Sequence, residues 1–224
     1  MYKTILILLF TFVSAFAPHK SNTIMHHQQT MLCLGDSYTI GERVSDTDRF
    51  PVQLVKMLNE KGKYFADPVI IAKTGWTTDE LIAAIKEKNL TGTFDYVTLL
   101  IGVNNQYRGY NIDIYKKEFN DLLKIAINYA GGKAGHVIVV SIPDWGVTPF
   151  AANEGRDKMK VGEEIDQYNA INKEEALNAN VQYVDITPIS KRAETDANLL
   201  AEDGLHPSGG MYTLWCEQIL YRVK

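Results

Sequence analysis

The amino-acid sequence predicts an α/β fold, a three-layer α/β/α sandwich in which one parallel sheet lies between two layers of helices. Three observations carry this. From residue 30 onward, short apolar runs alternate with longer stretches whose apolar residues recur every three or four positions. The run "FDYVTLLIG" is almost continuously apolar, the pattern of a strand covered on both faces. Strands separated by helices pair in parallel through right-handed crossovers, which place helices on the faces of the sheet.

Taken in order, "TMLCLG" is the first strand. "DRFPVQLVKMLNEKGK" follows as a helix, with Pro51, Leu54, Val55 and Leu58 at helical spacing, Pro early and Gly62 at the end. "PVIIAK" is strand two, and "TTDELIAAIKEK" is a helix that opens on a capping box of Thr77 and Glu80. "FDYVTLLIG" is strand three, followed by the long helix "DIYKKEFNDLLKIAINYAGG", whose buried face is expected to be Tyr115, Phe119, Leu122, Leu123 and Ala126. "HVIVVSI" is strand four. An irregular, polar stretch over 143–160 precedes the helix around "EEIDQYNAINKEEAL". "VQYVDI" is strand five, and the helix "PSGGMYTLWCEQILYR", capped by Ser208, closes the chain.

At 224 residues, 46% hydrophobic and 22% charged, the chain suits one domain with one core. Its net charge of -4, with Lys and Arg scattered, gives no electrostatic basis for binding nucleic acid or an anionic membrane. A small neutral or weakly charged substrate is the expected partner. Residues 1–17 place Lys3 ahead of the apolar run Ile5 to Ala17, too short to span a bilayer but suited to a signal peptide cut after Ala15 or Ala17. The expected organisation is therefore a signal peptide over 1–17, a flexible lead-in over 18–29 and a single domain over 30–224, exported to the periplasm or beyond the cell. Cys33 and Cys216 are expected as buried free thiols, with a pairing between them as the alternative. No His-Glu-x-x-His or comparable ligand spacing occurs, so neither metal nor cofactor is expected.

In open parallel sheets the ligand crevice lies outside the carboxyl ends of the strands. Ser37 in "GDSY" follows strand one, Gly75 in "TGWTT" strand two, Asn104 in "GVNN" strand three, and Asp203 with His206 in "DGLHP" strand five. Each alone is ordinary turn chemistry. Together they supply a nucleophile and its support. A serine hydroxyl needs an adjacent base, and His206 is the histidine that stands on a post-strand loop with an acid nearby. Asp203 can fix the imidazole tautomer. Attack on an ester creates an oxyanion, for which the backbone N–H groups of Ser37 and Gly75 and the side-chain amide of Asn104 are candidate donors. A side chain at Gly75 is expected to crowd the approach.

These four blocks, in this order from Met31 to about Tyr221, resemble those of the SGNH or GDSL hydrolase family. The resemblance implies Ser37 as nucleophile, His206 and Asp203 as the rest of a triad, Gly75 and Asn104 as oxyanion donors, and a flavodoxin-like sheet of order 2-1-3-4-5. One departure concerns the third block, where many members read Gly-x-Asn-Asp and this chain has Asn105. The α/β-hydrolase elbow Gly-x-Ser-x-Gly does not fit, because Thr39 replaces its second glycine.

The expected activity is hydrolysis of a carboxylic ester with a short, acetyl-type acyl group. The alternatives are a lysophospholipase or thioesterase acting on lipid, and a glycan- or lipid-binding module without turnover. Trp76, Tyr107 and Trp145 are the expected substrate-binding aromatics, with Tyr110 and Phe150 in the same post-strand segments.

Overall fold

Five strands, β1 (Met31–Gly35), β2 (Val69–Ala72), β3 (Tyr96–Leu100), β4 (Val137–Val140) and β5 (Gln182–Val184), form one all-parallel sheet of order β2-β1-β3-β4-β5 in the computed structural model, which describes residues 27–224. The order and direction match the expectation. β1, β3 and β4 are buried along their whole lengths, as their unbroken apolar runs require.

The helices are α1 (Ser37–Ile40), α2 (Phe50–Glu60), α3 (Thr78–Lys88), α4 (Val103–Tyr107), α5 (Ile112–Tyr129), α6 (Pro149–Asn153), α7 (Lys158–Asn178), α8 (Thr187–Ser190) and α9 (Gly209–Leu220). The chain steps from β1 outward to β2, then back across to β3, β4 and β5. Right-handed crossovers therefore put α2 on one face and α3, α5 and α7 on the other. α9 packs on α2, while α5 contacts both α3 and α7, giving the three layers. The expected face of α5 is the buried one: Tyr115, Phe119, Leu122, Leu123 and Ala126. Trp215 and Tyr212 of α9 and Phe50 of α2 are fully buried, each contributing roughly 1.5–3 kcal/mol of hydrophobic stabilisation. Cys33 and Cys216 are both buried and free; burial pushes the Cys33 thiol up to about 12, and the Cys216 thiol donates to the Phe50 carbonyl at 3.3 Å.

Strand register sets where the post-strand loops begin. Gly35 stands opposite Ala72 on one side and Leu100 on the other, so β1, β2 and β3 end level. Ser37, Gly75 and Asn104 then leave the sheet from one line, two to four residues beyond it. The crevice between β1 and β3, whose connections run in opposite directions, is the topological switch point. Gly35 allows the tight exit from β1: a Cβ there would fall 2.1 Å from Thr39 Oγ1 and 2.4 Å from the Leu100 carbonyl oxygen.

One expectation needs correction. The 143–160 stretch is not irregular throughout: Thr148 caps α6, accepting the Ala151 N–H at 3.3 Å, and Asp157 caps α7, which starts at Lys158, well before Glu163. Exposed Lys158, Met159 and Lys160 mask the helical period there, and the first buried position of α7 is Val161. Ser37 and Asn104 follow β1 and β3 as expected, and there they lie at the starts of short helices, α1 and α4. The signal-peptide reading and most of the 18–29 lead-in lie outside the described residues. Within the lead-in, Gln29 is bridged to Phe65 beside the sheet.

Candidate active site

The turn after β1 fixes Ser37. Asp36 caps α1 by accepting the Tyr38 N–H on Oδ1 at 3.0 Å, and Ser37 is 5% exposed. The other Asp36 oxygen is buried without a partner. Burial pushes this carboxyl up to about 7, against the opposing pull of the Tyr38 N–H.

The segment between α8 and α9 holds the imidazole. Leu200 and Pro207 form an antiparallel bridge, and the Ala201 N–H donates to the His206 carbonyl at 2.7 Å. Inside the loop, Asp203 Oδ1 accepts the N–H groups of Leu205 and His206, both at 3.0 Å, while Oδ2 sits 2.6 Å from His206 Nδ1. Burial works to raise the Asp203 carboxyl, but the hydrogen bonds from the His206 ring and the two N–H groups outweigh it and hold it below the usual carboxylate range. An ionised Asp203 accepts a proton held on Nδ1, which leaves Nε2 as the acceptor.

Gly75 has φ +87, a left-handed conformation that favours glycine, whereas a Cβ there would meet nothing nearer than Arg108 Nη2 at 3.6 Å. Within the protein, backbone conformation and not crowding accounts for this glycine. Among the described residues, the N–H groups of Ser37 and Gly75 donate no hydrogen bond, so both remain available. Asn104 Nδ2 donates to the Trp76 carbonyl at 2.9 Å. One of its two N–H groups is thereby spent on orientation and the second is available.

Ser37, Gly75, Asn104 and His206 line one cavity of about 190 Å³, together with the aromatic rings of Tyr107, Trp145 and Phe150. The Ser37 hydroxyl and the His206 ring face this cavity without hydrogen-bonding each other, a looseness common before a substrate tightens the site. Two of the three expected substrate-binding aromatics, Tyr107 and Trp145, belong to the cavity wall. Trp76 does not line it; its side chain packs on the core and its carbonyl holds Asn104. Tyr110 lies outside as well, 41% exposed.

Residue spacing offers no view of what holds this wall. Trp145 Nε1 donates to Gln106 Oε1 at 2.8 Å, and Gln106 Nε2 donates to Glu164 Oε2 at 2.7 Å. Gln106 adjoins the "GVNN" block, but its partners lie 39 and 58 residues away. The departure at Asn105 also acquires a reason. Its Oδ1 accepts the Thr78 N–H at 3.1 Å and its Nδ2 donates to Thr78 Oγ1 at 2.8 Å, while that hydroxyl donates to Glu118. A carboxylate at 105 could accept from Thr78 but could not donate to it.

A flavodoxin-like sheet carrying these four blocks at its switch point is the arrangement of the GDSL hydrolases. The chain belongs to the GDSL-like Lipase/Acylhydrolase family, whose model matches residues 33–214. Three solved structures share the fold. TesA has a TM-score of 0.67 at 17% identity, over 88% of this chain and 98% of its own. Axe2, an acetylxylan esterase from Geobacillus stearothermophilus, has a TM-score of 0.67 at 20% identity, over 87% of this chain and 94% of its own. A lipase/acylhydrolase from Enterococcus faecalis has a TM-score of 0.65 at 22% identity, over 88% and 95%. No curated protein sequence matches the chain. Among the described residues no helix is long and apolar enough to cross a membrane, and no cluster of three His, Cys, Asp or Glu side chains is placed to hold a metal.

Proposed function

We propose that this chain is a serine esterase that removes a short, acetyl-type acyl group through an acyl-enzyme. The carrying observation is the 2.6 Å contact of His206 with Asp203 on a loop whose imidazole shares one cavity with Ser37. Ser37 Oγ attacks the ester carbonyl as its proton passes to His206 Nε2. The N–H groups of Ser37 and Gly75 and the second N–H of Asn104 receive the oxyanion. On collapse, His206 returns the proton to the departing alcohol, and a water repeats the sequence to release the acid.

The volume of about 190 Å³ favours a short acyl group, since drug-sized pockets run from about 300 Å³ upward. The fold shared with an acetylxylan esterase is consistent with an acetylated carbohydrate as the substrate. Export of the chain after a cut behind Ala15 or Ala17 belongs to the same reading, and N-terminal sequencing of protein from its native host tests it.

A series of p-nitrophenyl esters tests the activity. The rate is expected to be greatest with acetate, to fall by hexanoate, and to vanish in Ser37→Ala. A maximum at long acyl chains would instead assign the chain to lipid esters, and equal release by wild type and variant would remove the hydrolase reading altogether.

A further inference from the structure

Helix α6 ends in a Schellman turn: Gly155, at φ +64, donates its N–H to the Ala152 carbonyl at 3.1 Å, and Arg156 donates its own to Ala151 at 2.9 Å. That turn aims Arg156 back over the cavity wall. Its guanidinium carbon lies 4.8 Å from the centre of the Tyr107 ring and 5.8 Å from that of Trp145. Both rings line the cavity.

The two other arginines near this rim are committed. Arg43 has Glu42 at 3.6 Å and Asp203 at 3.9 Å, and Arg108 has Glu80 at 3.3 Å and the Gly75 carbonyl at 2.7 Å. Arg156 differs. Among the described residues its side chain makes no ion pair and no hydrogen bond, although Glu154 and Asp157 are close in sequence. Asp157 Oδ1 is occupied by the Met159 and Lys160 N–H groups, at 2.9 and 3.2 Å. The rings thus hold an exposed guanidinium in place while leaving its forked N–H edge unspent.

The side of the cavity follows from the backbone. The Phe150 N–H of α6 donates to the Gly204 carbonyl at 3.1 Å, which ties the segment bearing Arg156 to the loop of Asp203 and His206. In ester cleavage the imidazole is where the departing alcohol collects its proton.

We propose that Arg156 is a specificity-determining residue that recognises an anionic oxygen group, carboxylate or phosphate, on the alcohol portion of the ester. This rests on the esterase reading. It narrows the acetylated substrate to one bearing negative charge beyond the scissile bond.

The test compares three acetate esters of like shape, 4-acetoxybenzoate, 4-acetoxyphenyl phosphate and neutral 4-acetoxybenzamide, on wild type, Arg156→Lys and Arg156→Met. Wild type is expected to prefer one of the anionic esters over the amide by about tenfold in kcat/KM at low salt, the range of a hydrogen bond to a charged group. That ratio is expected to fall to near one in Arg156→Met, to survive in part in Arg156→Lys, and to shrink as salt is raised. Whichever anion is preferred identifies the group. A residue that merely braced the rings would change all three esters alike and leave the ratio intact, which overturns the proposal.

Calorimetry in a Ser37→Ala background separates the two readings. If no ester is hydrolysed but the anionic one binds in an Arg156-dependent way, the anion site stands and the esterase falls. If the amide is hydrolysed and neither measurement shows an Arg156-dependent preference, the esterase stands and the anion site falls. Absence of that preference in both measurements overturns the anion site whatever the turnover.

Discussion

The two ends of the same sheet differ in how fully their polar groups are paired. At the amino-terminal end, Thr30 gives both its N–H and its hydroxyl to Asp95 Oδ2, at 2.8 and 3.1 Å, and takes back the Asp95 N–H at 3.2 Å. His136 Nδ1 donates to the Asp95 carbonyl at 2.7 Å, and its ring stacks on Tyr96 at 4.7 Å. Tyr96 Oη in turn exchanges hydrogen bonds with Lys224, at 2.9 and 3.1 Å. At the carboxyl end, Asp36, Ser37 and His206 are more deeply buried, yet capacity is left over: an Asp36 oxygen, the Ser37 and Gly75 N–H groups, and half the Asn104 amide. Buried polar groups are ordinarily satisfied; the amino-terminal end strands the Gln29 side-chain oxygen, whereas the carboxyl end leaves several donors and acceptors open around one cavity. His136 and His206 differ in their surroundings because of the end they occupy: one is bonded to a carbonyl and stacked on Tyr96, the other is paired with Asp203 and lines the cavity.

Substitutions at the open end should remove turnover and spare the fold, and the reverse should hold at the closed end. The largest expected effect is that of Ser37→Ala, a loss of roughly 10⁴- to 10⁶-fold in kcat with an unchanged denaturation midpoint, measured on p-nitrophenyl acetate. Asn104→Asp comes next, at about 100- to 1,000-fold, because a carboxylate opposes the developing negative charge. Near-normal turnover in that variant would take Asn104 out of the mechanism.

Asp36 sharpens the contrast through stability. Its carboxyl is raised to about 7 in the fold, so between about pH 4 and 7 the folded chain keeps a proton that the unfolded chain has released. Stability therefore falls as pH rises through that window, by at most about 1.4 kcal/mol per pH unit from this group. Urea midpoints across that range should show the wild-type slope reduced in Asp36→Asn, and identical slopes would mean that the orphaned oxygen has no energetic consequence. The smallest effect is expected at the closed end: Asp95→Ala should cost about 1–3 kcal/mol by stranding the groups that Asp95 satisfies, with kcat/KM changed less than about twofold. A large loss of turnover there would erase the distinction between the two ends.

Much of the fold was legible because it depends on local periodicity. The faces of α2 and α5, the Thr77 to Glu80 capping box, where the Thr77 N–H donates to Glu80 at 2.9 Å, and the Ser208 cap of α9 all stand where residue spacing puts them. The start of α7 did not show, because charged residues and exposed Met159 blur its first turn. The site was legible as residue types on post-strand loops, but not as a set of contacts. Gln106 behind Trp145, the Asn105 link to Thr78 and Arg156 over Tyr107 each join residues 27 or more positions apart.

The sequence by itself determined the alternation of strands and helices, the family, and the residues fit to act as nucleophile, base and donors, since these follow from the order and spacing of side chains along one chain. Tertiary structure alone decided which hydrogen-bonding groups stay unspent, which aromatics wall the cavity and which arginine lies over them. Those properties depend on distances between segments remote in sequence, which arise only when the sheet closes its register and the helices pack.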